Sequence, residues 1–111
     1  MEKKIDNKTR LKVLELALED MYDYSGYICP AIQFALLRSG IVSPEEERNR
    51  EAIFCTLEYF PEILDYKPKD VGMHKLYGWF GPVRLKENRD KRVEVMKDLI
   101  DEIKLQDESK L

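Results

Sequence analysis

The stretch LKVLELALEDM, Leu11 to Met21, sets the architecture of this chain. Leu11, Leu14, Leu18 and Met21 recur at three- and four-residue spacing with Ala17 beside them, which is one face of an amphipathic helix from about Asn7 to Tyr22. Lys12, Glu15 and Glu19 lie off that face, toward water. Working outward, Tyr24 to Tyr27 ends this helix. Pro30 suits a first helical position, so a short, very apolar helix is expected over Pro30–Arg38, buried on more than one side, with Gly40 as its left-handed cap. Ser43-Pro44-Glu45-Glu46 is a capping box that opens a third helix to about Tyr59. Its first half, Glu45 to Glu51, is polar all round and should project. Its second half should bury Ile53, Phe54 and Leu57.

Pro61 breaks the third helix, and a single turn through Ile63 and Leu64 follows. Residues 67–83 contain two Pro and three Gly and read as an irregular but ordered aromatic loop. A last helix runs from about Leu85 or Asn88 to Leu105 with Val93, Met96, Leu99, Ile100 and Ile103 as its stripe. No strand pattern stands out, beyond a short extended segment near residues 77–83. The reading is a mainly α, small single-domain bundle of about four helices over residues 1–111, with 1–6 and 106–111 frayed. The expected core is Leu14, Leu18, Ile32, Leu36, Ile53, Leu57, Phe80, Met96, Leu99 and Ile103.

At 43% hydrophobic and 37% charged, with a net charge of only −3, the composition is globular rather than disordered. The N-terminus has no apolar run of a signal peptide, and no stretch is long and apolar enough to span a membrane, so a cytoplasmic protein is expected. Cys29 and Cys55 sit in apolar settings and read as buried thiols. The charge is uneven. Residues 1–66 carry a net −5, residues 67–92 a net +5 and residues 93–111 a net −3. The aromatic loop therefore lies inside the one basic segment. Arg forks phosphate oxygens and an exposed ring stacks on a base, so His74, Lys75, Tyr77, Trp79, Arg84, Arg89 and Arg92 are the candidate ligand-binding residues. In this arrangement Gly78 turns the chain, Phe80 plugs the core and Tyr77 or Trp79 stays free as a platform.

Other motifs weigh less. His74 has no acid or nucleophile partner, and Cys29 precedes an apolar helix. The glutamates of residues 45–51 read as a solvated helix start rather than a metal site. No phosphate-loop motif is present, and a helix opening with three carboxylates argues against DNA. No metal, cofactor or catalytic residue is expected, and for want of a nucleophile–base pair the chain does not read as an enzyme.

Four local features carry a resemblance: Tyr27-Ile28-Cys29-Pro30-Ala31, the Phe60-Pro61-Glu62 break, the Tyr77-Gly78-Trp79-Phe80 turn, and Arg92 seven residues before Leu99-Ile100. Over residues 11–103 the chain resembles short accessory proteins of tailed bacteriophages. The resemblance implies an accessory product acting in the host cytoplasm against host defence. Two functions follow as expectations. The first is a non-enzymatic sponge that sequesters a small anionic, nucleotide-like signal, shared between the subunits of a homo-oligomer. The second is a protein-interaction module that blocks a host defence protein through its acidic helices.

Overall fold

The computed structural model describes residues 5–24, 27–69 and 79–108. Five α-helices and one 3₁₀ helix follow in order: α1 (Asn7–Tyr24), α2 (Ile28–Arg38), α3 (Pro44–Asn49), α4 (Ala52–Tyr59), the 3₁₀ helix Pro61–Tyr66, and α5 (Lys86–Glu108). The described residues contain no strand, so the mainly α reading holds, and the extended segment near 77–83 forms no strand where it is described. α1 packs against both α2 and α5, α2 also meets α4, and the 3₁₀ helix bridges α4 and α5.

Local chemistry explains the boundaries. The Asp6 carboxylate accepts from the Thr9 amide at 2.8 Å and starts α1. α2 begins two residues before Pro30 and ends in a Schellman turn: Gly40 takes φ +75°, its amide donates to Leu37, and the Ile41 amide reaches the Leu36 carbonyl. At α3 the capping box is complete, with the Glu46 amide on Ser43 Oγ and the Ser43 amide on the Glu46 carboxylate.

The third helix is not the continuous one that the sequence led one to expect. Arg50 and Glu51 are extended, and they separate α3 from α4. Gln33, buried on α2, donates its amide to the Glu47 and Arg50 carbonyls at 3.4 and 3.1 Å. Those carbonyls thereby gain a partner outside the helix, and the chain turns. α3 keeps no buried residue and projects, whereas α4 rotates Ala52, Ile53, Cys55, Thr56 and Tyr59 inward. The same rotation leaves Phe54 39% exposed and Leu57 half-buried, contrary to the expected burial of both.

The core is otherwise the one the periodicities describe. Leu14, Ile32, Leu36, Ile53, Met96, Leu99 and Ile103 are fully buried, joined by Val13, Val42, Phe60 and Ile63. Leu18 and Phe80 are only half-buried against it. Both thiols are free and buried. α5 remains helical through Glu108, past the point where fraying was expected at residue 106.

Glu62 ties three elements together. Its carboxylate accepts from Arg10 on α1 and from Gln106 on α5 at 2.9 Å. Burial alone would push its carboxyl up, but the hydrogen bonds from Gln106 and the backbone, with the Arg10 charge, hold it below the usual glutamate value of 4.5. A depressed native pKa contributes stability that is present above the unfolded value and is lost as pH falls through the native value. Glu62→Gln should therefore cost about 1–3 kcal/mol at pH 7. Urea midpoints at pH 7 and pH 3 test this: the difference between wild type and variant should shrink at pH 3, and an equal difference at both would contradict the tie.

Candidate functional site

The described part of the segment expected to bind a ligand, from Trp79 on, folds onto α5. The chain reverses at Phe80 and Gly81, which take φ values of +70° and +88°. A left-handed Phe is strained, by roughly 1–3 kcal/mol, so the surroundings must hold it. α5 does so. Arg92 Nη2 donates to the Trp79 carbonyl at 2.7 Å and to the Gly81 carbonyl, on either side of Phe80. Asn88 donates to the Pro82 carbonyl at 3.2 Å, and Arg89 Nη1 to the Val83 and Arg84 carbonyls at 3.1 and 2.9 Å. Only the Pro82 carbonyl also meets a backbone amide of the turn, that of Leu85 at 3.3 Å, and side chains from the first turns of α5 supply donors to the carbonyls of Trp79 and of residues 81–84.

These contacts redistribute the expected site residues. Trp79 is 2% exposed and belongs to the core, so it is no platform; Phe80, the expected plug, is half-buried instead. The physical reason is the reversal at Phe80, pinned by Arg92 on both flanking carbonyls. Arg92 is 1% exposed, so it is not an open phosphate clamp. Arg89 is half-buried on the carbonyls it holds. Arg84 is exposed and offers the turn its carbonyl. The structure brings Trp79, Arg89 and Arg92 together, but as one closed turn. His74, Lys75, Tyr77 and the expected hinge Gly78 lie outside the described residues. Cys29 is a buried thiol whose pKa burial pushes up to about 12, so it stays protonated at neutral pH.

One open cleft, of ≈ 400 Å³, lies between α1 and α5 and is lined by Tyr22, Arg89, Asp90, Glu94 and Lys97 among others. Another lies across α1 and α2. A cleft of ≈ 330 Å³ is lined by Glu19, Asp20, Asp23, Phe34 and Arg38. Phe34 is 49% exposed. Arg38 stands over its ring at 5.7 Å and donates to both Asp20 oxygens at 3.1 and 3.3 Å. Glu19 and Asp23 have no ion-pair partner among the described residues. Glu19 also lines an adjoining cleft with Lys12, Glu15 and Leu16. α1 carries no basic residue in its last turn, so its acids add to the negative end of the helix dipole.

Phe34, Glu19, Asp20 and Asp23 were not among the residues singled out from the sequence. α2 is so apolar that burial on several sides was expected. A signal existed nonetheless: Phe34 lies two residues from both Ile32 and Leu36, hence across the helix from the buried face, and four residues before Arg38.

Gly81 gives the turn a direct test. A Cβ there would meet Asn88 Nδ2 at 2.9 Å, in a conformation that side chains rarely adopt. Gly81→Ala should destabilise by roughly 1–3 kcal/mol in a denaturant titration. A loss below about 0.5 kcal/mol would mean that the turn is not closed as described. No protein-family model, curated protein or solved structure matches the chain.

Proposed function

We propose that this domain is a non-enzymatic protein-interaction module whose acidic, aromatic-bearing α1–α2 face takes a basic segment of a partner protein. The observation that carries this reading is the exposed Phe34 ring in a cleft lined by Glu19, Asp20 and Asp23. The chain's own Arg38 illustrates the mode of recognition, since one guanidinium already lies against Asp20 and the ring there. Glu19 and Asp23 leave room in charge for a second cation. A guanidinium or ammonium over an exposed ring gains about 0.5–1 kcal/mol, more if water is excluded. Steering by the acidic surface would raise the encounter rate.

The nucleotide-sponge alternative draws less support, because Trp79 and Arg92 are interior and Arg89 is engaged with backbone carbonyls. In the setting implied by the bacteriophage resemblance, the partner would be a host defence protein, held rather than chemically altered.

The test is fluorescence anisotropy with a labelled ten-residue peptide of alternating Arg and Leu, at low and at physiological salt. Phe34→Ala should weaken binding by about 3–30-fold. Asp23→Lys should weaken it further and flatten its salt dependence. Equal affinity for wild type and both variants would refute the assignment of this face. Light scattering on the same samples separates peptide capture from self-association.

A further inference from the structure

The cleft between α1 and α5 contains a cation whose donors are only partly used. Arg89 Nη1 donates to the Val83 and Arg84 carbonyls. Its Nε and Nη2 make no hydrogen bond among the described residues, yet neither is a buried atom lacking a partner, so this edge of the half-buried side chain meets solvent. Nε and Nη2 together form a fork on which an oxyanion sits bidentately. The two carbonyls already fix the guanidinium, so little freedom is lost when that fork is filled.

The rest of the cleft gives the fork its context. Arg89, Val93 and Lys97 follow at four-residue spacing on α5, so they line one face over about 12 Å, with the apolar Val93 between two cations. Opposite them on α1, Tyr22 is 57% exposed, and Lys97 Nζ stands 5.9 Å from its ring centroid. Lys97 has no ion-pair partner among the described residues. A volume of ≈ 400 Å³ lies within the range of small-molecule sites.

Two acids narrow the class of ligand. Asp90 lines the cleft but is neutralised by Lys86 at 2.7 Å. Arg89 and Lys97 against Glu94 then leave one net positive charge. That balance matches a singly charged carboxylate and disfavours a phosphate dianion. The Tyr22 ring and Val93 suit a flat apolar body.

We infer that the α1–α5 cleft binds a small aromatic monocarboxylate. Its carboxylate takes the Nε–Nη2 fork of Arg89, and its ring lies over Val93 against Tyr22, with Lys97 at the far end. This site is separate from the Phe34 face and does not depend on the function proposed for that face.

The experiment titrates 3-phenylpropionate into the full chain at pH 7 and follows the Arg89 Nε–H and Tyr22 ring signals by nuclear magnetic resonance. Both should shift saturably with one Kd of about 0.3–5 mM. The amide of the same acid keeps the ring without the charge and should bind at least about tenfold more weakly. Tyr22→Ala and Lys97→Glu should each weaken binding by about 3–10-fold. Lys104→Glu makes the same charge change at an exposed position of α5 outside the cleft, and should leave the Kd within about twofold. Arg89→Lys should weaken binding at least about tenfold; if it also loosens the turn, the amide and the Tyr22 and Lys97 variants still decide. Equal affinity for acid and amide, an unchanged Kd in both Tyr22→Ala and Lys97→Glu, or shifts that never saturate would overturn the site. Tighter binding of phenyl phosphate would overturn the monocarboxylate class.

Discussion

The hydrogen bonds from Arg92 to the carbonyls of Trp79 and Gly81 are the constraint from which the rest of the structure follows. They clamp the chain on both sides of Phe80, which explains how a bulky residue is held in a left-handed conformation. They turn Trp79 inward, where it contributes a large aromatic surface to that end of the core. They also join the loop to α5 at the level where Tyr27 leads into α2. Side-chain bridges tie the opposite end of the bundle as well. Arg10 and Gln106 meet on Glu62, and Tyr66 donates to Glu102 at 2.8 Å. A small domain with a modest core gains cohesion from such bridges between elements.

This arrangement gives the charge asymmetry a physical meaning. Basic residues at the start of a helix oppose its dipole, which is odd until their partners are seen. Arg89 and Arg92 donate to backbone carbonyls of the incoming turn, Arg92 from the interior and Arg89 from a half-buried position. Part of their positive charge is thus used within the fold. The acids at the end of α1 have no such internal use: Asp20 meets Arg38, while Glu19 and Asp23 face the Phe34 cleft. Those two carboxylates are therefore the charges that the α1–α2 face leaves without an ion-pair partner among the described residues.

Elements governed by local rules were legible in the sequence. The Ser43 capping box, the Gly40 cap and the stripes of α1 and α5 each need only neighbouring residues, and most of the core follows from them. What could not be read depends on contacts distant in sequence. Gln33 interrupts the third helix from α2, and Arg92 decides between Trp79 and Phe80 from thirteen residues downstream of Trp79. The expected exposed roles of Trp79 and Arg92 fail for the same reason. A basic, aromatic-rich segment has the same composition whether it opens to a ligand or folds onto its own carbonyls, whereas the Phe34 position was visible on a helical wheel and was masked by the apolar character of α2 as a whole.

From Trp79 on, the aromatic turn is closed onto α5 with the chain's single tryptophan inside. Steady-state fluorescence of the native chain, with acrylamide as quencher, tests it directly because Trp79 is the only tryptophan present. Emission shifted to the blue and weakly quenched, turning red and freely quenched only on unfolding in urea, is the predicted result. Native emission already at the wavelength of water-exposed indole, with quenching as efficient as in the unfolded chain, would contradict the account.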